Sequence, residues 1–503
     1  MVKAQVSVHR DFKIAAIDER IYGAFLEHLG RAVYGGIYEP GHKTADEEGF
    51  RGDVLDLVRD LKVPLVRYPG GNFVSAYNWE DGVGPRDERP TQLDLAWRTK
   101  ETNAVGTNEF ARWCRLAGTE PMLAVNLGSR GLDAAVALLQ YCNHAGGSRW
   151  SDLRRKHGYK DPHNVRVWCL GNEMDGPWQI GHKTAGEYGR LANATGRAMK
   201  SFDRKLELVV CGSTNSSMPT YPAWDAAVLE ECYEVVDYVS LHTYFENYED
   251  DYLNFVAKPV AMDRYIKTVL GVCDYVQAKT RLKNVINISF DEWNVWYHNR
   301  RKDHDDFTTW DWPEAPPLLE EKYDFDDILV VGCALNTFIR RADRVKIACI
   351  AQLVNVIAPI MTVTGGGAWK QTIYYPLYFA SLYGRGESLA VAVDVPTYDA
   401  KVANDVPYLD VSAVRNTGGE ALTLFAVNRH PTEAMSLEVS LLGFKPARVL
   451  EHIVMAHADP RAANTAKAPD NVVPERATGT VIDADQLKAK LPPRSYHAIR
   501  VAL

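Results

Sequence analysis

The sequence predicts an α/β protein: a (β/α)8 TIM barrel carrying a C-terminal all-β, jelly-roll-like sandwich. Three observations predict it. Between about residues 16 and 384, eight short apolar runs alternate with segments of 3.6-residue periodicity. The runs end in polar residues, near Glu27, Asn72, Asn126, Glu173, Ser213, His242–Tyr244, Glu292 and Gln352. Beyond about residue 385 the helical period disappears, and strand-like runs separated by turn residues replace it.

In chain order, Val6, Val8 and Phe12 alternate in a first strand, which joins the sandwich. The first barrel strand ends in Phe25-Leu26-Glu27-His28. A doubly wound open sheet would place a glycine-rich phosphate turn there. Val54–Leu61 has helical spacing, and Val63–Tyr68 reads as the second barrel strand. Later runs include Val167–Leu170, Leu206–Cys211 and Ile286–Phe290, each short, β-branched and bounded like a strand buried on both faces. Between them, Tyr265, Val269, Val272 and Val276 lie along one helical face. Arg300–Asp306 reads as a solvated loop after the seventh strand, and Trp310 and Trp312 place it either in a substrate cleft or at an oligomer contact. Gly365–Gly367 lacks the Lys-Ser/Thr ending of a phosphate loop and reads as a turn. Leu422–Val427, Ser436–Leu441 and Tyr496–Leu503 are sandwich strands, with a polar loop at Ala462–Asn471. The expected division is 16–384 for the barrel and 1–15 plus 385–503 for the sandwich.

At 503 residues the chain suits one large domain and one smaller one. A net charge of −8 argues against a nucleic-acid partner. No run is long enough to span a membrane, and the first ten residues lack the apolar core of a signal peptide. The eight cysteines form no C-x-x-C pair, so they read as buried free thiols in a reducing compartment, with no metal site.

Polar residues at barrel-strand C-termini converge on one mouth. Here they are dense: Glu27, Asn72, Asn172, Glu173, His242, Tyr244, Glu292 and Gln352. So many donors and acceptors suit a polyhydroxylated ligand, and Trp79, Trp97, Trp178, Trp293 and Trp296 are nearby in sequence to cover its apolar edges. Glu173 and Glu292 end two different strands. Two carboxyls about 5 Å apart are what sugar hydrolysis with retention requires. Glu173 is read as the acid/base and Glu292 as the nucleophile. Because side chains alternate along a strand, only one of Asp291 and Glu292 is expected to face the mouth.

Trp168–Trp178 around Gly171-Asn172-Glu173 resembles the acid/base motif of glycoside hydrolase family 51 α-L-arabinofuranosidases. Phe290–Tyr297 resembles that family's nucleophile motif, and Gly23–Gly30, Arg67–Phe73 and Asp94–Trp97 are similar to it as well. The resemblance implies cofactor-free, retaining removal of terminal α-L-arabinofuranosyl groups from arabinoxylan- or arabinan-derived oligosaccharides. It implies a sugar pocket lined by Glu27, Asn72, Asn172, Tyr244 and Gln352, with Trp97 at the rim and Asn172 facing the 2-hydroxyl. Arg67 and His242 would keep Glu292 ionised and oriented. A cytoplasmic homohexamer is implied too. Two rivals stand beside this reading. One is a β-xylosidase or endo-glucanase using the same two glutamates, the latter needing an open cleft. The other is a carbohydrate-binding protein without turnover.

Overall fold

A computed structural model describes the backbone of residues 1–503 and every side chain except that of Asp305. The chain opens with β1 (Val2–Ala16). The barrel strands follow: β2 (Gly23–Phe25), β3 (Leu65–Tyr68), β4 (Glu120–Val125), β5 (Val167–Leu170), β6 (Glu207–Cys211), β7 (Tyr238–Phe245), β8 (Asn287–Val295) and β9 (Val345–Ala351). They pair in parallel and close on themselves in the order β8-β9-β2-β3-β4-β5-β6-β7. All four residues of β3 and of β5 are buried, as expected of strands covered on the outside by helices and filled on the inside by side chains.

The helices use the spacing read from the sequence. In α1 (Gly52–Leu61), Val54, Leu55, Val58 and Leu61 are buried, and Lys62 ends the helix with φ 51°. In α2 (Tyr252–Thr280), Tyr265, Val269 and Val276 are buried and Val272 is half-buried. One element differs from expectation. Arg300–Asp306 is not a loop: Arg300–Phe307 forms a short helix, α3. Its first turn is held by cationic contacts that sequence spacing does not reveal, with Arg300 over the Trp296 ring at 3.9 Å and Arg301 over the Tyr248 ring at 4.2 Å.

The second large sheet is built from β10 (Gly386–Asp394), β11 (Leu409–Asn416), β12 (Ala421–Asn428), β13 (Met435–Leu442), β14 (Arg448–Ala456), β15 (Glu475–Arg476), β16 (Val481–Asp483), β17 (Gln486–Leu491) and β18 (Ser495–Ala502). With β1 they hydrogen-bond in the order β15-β14-β18-β12-β11-β10-β1-β13-β17-β16. The sheet folds over its own core. Ala4, Val6 and Val8 from β1 and Leu437, Val439 and Leu441 from β13 share a cluster with Leu422, Leu424 and Ala426 of β12 and Ile499 of β18. That is a β-sandwich.

The outer face of one half has a different destination. Phe425, Val427, Tyr496 and Ala498 join the barrel core. Between the two lies α4 (Phe325–Arg340), buried from Phe325 through Ile339. Its Phe338 packs on Phe290 and Trp293 of the barrel, while Asn336 donates to Asp410 of β11 at 2.7 Å. Gly332 is required at this seam, because a Cβ there would stand 2.7 Å from the Tyr496 ring. All eight cysteines are buried and unpaired. Among the described residues no helix is long and apolar enough to cross a membrane.

Candidate active site

The barrel strands deliver their polar ends to one mouth. Arg67 lies in β3, His242 and Tyr244 in β7, and Glu292 in β8. Glu27 follows β2, Asn172 and Glu173 follow β5, and Gln352 follows β9 directly. After β5 the backbone turns sharply: Gly171 has φ 92° and Glu173 has φ 43°. A non-glycine residue in the left-handed region is uncommon and is found where a site needs its side chain re-aimed.

Arg67 organises one side of the mouth. It is almost completely buried, lies over the Phe25 ring at 4.7 Å, and reaches Glu292 with one terminal nitrogen and Asn172 with the other, both at 2.7 Å. The Tyr244 hydroxyl donates to the second Glu292 oxygen at 2.9 Å. Asn172 has its amide oxygen on Arg67, and its amide nitrogen faces Gln179 at 3.4 Å. Gln179 in turn donates to Ser75.

The other side is built on His242. It was expected to serve Glu292, and its Nδ1 lies within ion-pair reach of Glu292 at 3.5 Å and closer still to Glu173 at 2.8 Å. Its Nε2 lies 2.9 Å from Asp291. Only one of Asp291 and Glu292 was expected to face the mouth, and the fully buried Asp291 reaches the same imidazole from beneath. The cause is a bulge. Ser289 pairs with Ser240 and Glu292 with His242, so three steps on β8 oppose two on β7. One extra residue breaks the alternation. Asp291 is completely buried and accepts hydrogen bonds from Ser240 at 2.5 Å and Ser289 at 3.0 Å.

The electrostatics follow from this arrangement. Burial pushes the His242 imidazole down, but Glu292, Asp291 and Glu173 outweigh it and lift it to about 10. Burial pushes the Asp291 carboxyl up, but Arg67, His242 and Ser240 hold it below the usual carboxylate range. For Glu173 burial wins. His242 and Trp178 oppose it, Glu292 reinforces it, and the net shift is upward. Two cations serve the three acids: Arg67 reaches Glu292, and His242 reaches Asp291 and Glu173. Glu173 is nonetheless driven upward by its burial. One carboxyl oxygen each from Glu173 and Glu292 lie within 4.8 Å of each other. A cation could be ligated by these two glutamates and His242 only by displacing the imidazole proton.

Glu27 forms a second pole. Its Oε1 accepts from the Phe73 amide at 2.9 Å and from the Trp97 indole at 3.0 Å. Its own amide donates to Gln352 at 2.9 Å. Burial raises its carboxyl to about 8, against the Phe73 hydrogen bond and with Glu292 adding to the rise. Gly70 and Gly71 are needed beneath it, because a Cβ on Gly71 would lie 2.5 Å from Glu27 Oε2. Asn72 is half-buried and starts the short helix Asn72–Ala76 beside this pole.

The five tryptophans separate. Trp79 is buried against Tyr141 and Trp150, and Trp293 is buried against Phe338. These two belong to the packing, not to the mouth. Trp97, Trp178 and Trp296 stay at the mouth. Trp178 is 49% exposed and donates to Glu173 at 2.8 Å, and Trp296 packs edge-on against Tyr244 at 5.0 Å. Sequence reasoning missed Asp291, Ser240 and Gln179. Only the adjacent Asp-Glu pair in a buried strand gave a signal for any of them.

Comparison with known proteins places two family models on the chain. "Alpha-L-arabinofuranosidase 1 domain" matches residues 57–266, and "Alpha-L-arabinofuranosidase C-terminal domain" matches residues 291–495. An intracellular exo-α-(1→5)-L-arabinofuranosidase of Halalkalibacterium halodurans is 56% identical, with 99% of each chain covered. One of Bacillus subtilis is 54% identical over 100% of this chain and 99% of its own. Among solved structures, a family 51 α-L-arabinofuranosidase from Bifidobacterium longum superposes with a TM-score of 0.95 at 42% identity, over the whole of both chains.

Proposed function

The chain belongs to the family 51 α-L-arabinofuranosidases, and from that premise we propose that it removes terminal α-L-arabinofuranosyl groups by double displacement at Glu173 and Glu292. The observation that carries this reading is the closeness of the two carboxyls, one oxygen of each lying within 4.8 Å of the other, which suits a retaining rather than an inverting pair. Glu173, neutral at the start, gives its proton to the glycosidic oxygen. The Glu292 carboxylate attacks the anomeric carbon, the C–O bond to the leaving sugar breaks, and that sugar departs as an alcohol. The charge on Glu292 is consumed in the ester. Repulsion on Glu173 is thereby relieved, and the His242 imidazolium at 2.8 Å stabilises the new carboxylate. Glu173 then takes a proton from water, the oxygen of that water adds to the anomeric carbon, and Glu292 leaves as carboxylate. Arabinose is released with its configuration retained.

The assignment of Glu27, Asn72, Asn172, Tyr244 and Gln352 to the terminal-sugar pocket, with Trp97 at its rim, is part of the same proposal. The Glu27–Trp97–Gln352 contacts support it, because they build a wall on one side of Glu292 where an endo-acting enzyme needs an open cleft. The names of the relatives at 56% and 54% identity support α-(1→5)-linked arabino-oligosaccharides as substrate and the cell interior as the site of action. The proposal keeps 16–384 as the catalytic unit, 1–15 plus 385–503 as its sandwich, and a homohexamer as the assembly.

The test compares initial rates on an aryl α-L-arabinofuranoside and an aryl β-D-xylopyranoside for wild type and Glu292→Ala. Furanoside turnover that falls by about three or more orders of magnitude in the variant supports both reaction and residue. Turnover of the xylopyranoside alone overturns the pocket, and unchanged turnover in Glu292→Ala overturns the nucleophile.

A further inference from the structure

Behind the sugar pocket lies a second buried acid, which the reaction does not use. Residues Gln92–Asp94 and Thr99–Glu101 form an antiparallel hairpin whose tip carries Trp97. Glu101 sits at its base and is 5% exposed. One Glu101 oxygen lies 2.7 Å from His28 Nδ1. The other accepts from the Tyr34 hydroxyl and from the Asn103 amide. His28 is fixed in turn by Tyr68 at 2.6 Å and by stacking on Phe73 at 4.8 Å. The two ends of the hairpin are therefore held by consecutive residues of one strand tip: Trp97 by Glu27, and Glu101 by His28.

Beyond these two clasps the hairpin is touched by Asp81, to which Gln92 donates at 3.4 Å, and by Phe307, 6.2 Å from the Trp97 ring. A cavity of about 60 Å³ separates it from Phe73, Tyr77 and Asn78, and Leu93 and Leu95 are 51% and 62% exposed. Its outer edge carries the 310–314 segment: Arg98 donates to the Trp310 carbonyl at 2.5 Å and lies over the Trp312 ring, and the Lys100 amide donates to Pro313. That segment follows α3, which is held at Trp296 and Tyr248 and carries Phe307.

We propose that Glu101 is a positioning residue for the terminal-sugar pocket: its clasp on His28 and Tyr34 holds the 92–101 hairpin so that the Trp97 indole stays against Glu27. This rests on the reading of that mouth as a sugar pocket. Exchanging the carboxylate for an amide puts an N–H donor opposite His28 Nδ1, Tyr34 or Asn103 N–H, so at least one of the three contacts is weakened or its partner must change tautomer.

The experiment measures Glu101→Gln, Trp97→Phe and the double variant on an aryl α-L-arabinofuranoside, with thermal melts to establish folding. Glu101→Gln is expected to raise KM about tenfold while kcat stays within about threefold, the pattern of lost pocket binding. In the Trp97→Phe background the same change adds less than about twofold, because its route is already cut. Amide hydrogen exchange across 92–101 speeds up in Glu101→Gln and not elsewhere in the barrel. Tyr34→Phe, which removes a single hydrogen bond to Glu101, shows the same direction with a smaller effect and serves if Glu101→Gln does not fold. Unchanged exchange at 92–101, or KM effects that multiply fully in the double variant, overturns the proposal. A wild type that turns over no arabinofuranoside overturns the pocket reading instead, while the exchange measurement still decides whether Glu101 holds the hairpin.

Discussion

Among the described residues His242 is the only cation that touches Glu173, and the effect of His242→Gln on the pH profile has a definite sign. In wild type the imidazolium lies 2.8 Å from Glu173, 2.9 Å from Asp291 and 3.5 Å from Glu292. It stabilises the Glu173 carboxylate. With charge centres about 4 Å apart and an effective dielectric of about 20, that attraction is on the order of 4 kcal/mol. Relaxation and entry of water reduce it, so the basic limb of kcat/KM is expected to move upward by roughly 2 pH units. The direction does not depend on the dielectric chosen. Removing a neighbouring cation raises a carboxyl pKa, and the Asp291 charge left unbalanced pushes the same way. Glutamine keeps a hydrogen-bond donor in place, so the change isolates charge from shape. The assay is kcat/KM from pH 4 to 10 on a phenyl α-L-arabinofuranoside, whose poor leaving group makes protonation by Glu173 part of the barrier. Deglycosylation slows as well, because Glu173 must then act as a base without imidazolium support. A folded variant whose basic limb stays where it was, or moves down, would refute the electrostatics argued for this mouth.

Glu27→Gln tests the second pole. Glu27 has its folded pKa raised to about 8, so between its unfolded pKa and about 8 the folded state holds a proton that the unfolded state has lost. This costs stability as pH rises through that window, so Glu27→Gln is expected to melt higher than wild type at pH 8, by on the order of 3 kcal/mol, and equally at pH 4. Calorimetry at the two pH values checks it, and KM should suffer least below pH 8, where Glu27 is itself neutral. Gly71→Ala sets a Cβ 2.5 Å from Glu27 Oε2, displacing that carboxyl from Trp97, and is expected to lower kcat/KM about a hundredfold in steady-state assays at unchanged fold. Phe338→Ala empties the contact among Phe290, Trp293 and the seam helix α4, and is expected to cost about 3–5 kcal/mol by denaturant titration while kcat at 25 °C is retained.

The barrel was legible in the sequence because its strands are short, β-branched and end in polar residues, a pattern that depends only on local burial. Runs such as Val63–Tyr68 and Leu206–Cys211 became β3 and β6 within a few residues. Where local reasoning failed, a long-range contact decided the outcome. Arg300–Phe307 is polar on every side, and nothing within it announces that Trp296 and Tyr248 will receive its arginines. Trp79 and Trp293 stand near the strand tips in sequence, yet only the barrel's inside and outside separate them from Trp97 and Trp178.

Asp291 shows the same limit at the centre of the chemistry. Strict alternation assigns it to the opposite face from Glu292, and in a regular strand it would be an unpaired buried charge, which is costly. The bulge at 289–292 relieves that conflict by turning Asp291 onto His242 and two serines. The consequence reaches Glu173. With Asp291 in place, His242 carries two close acidic partners, Asp291 and Glu173, and burial still moves the Glu173 carboxyl upward. A single extra residue in β8 thus brings three carboxyls, Glu173, Asp291 and Glu292, within reach of one imidazole.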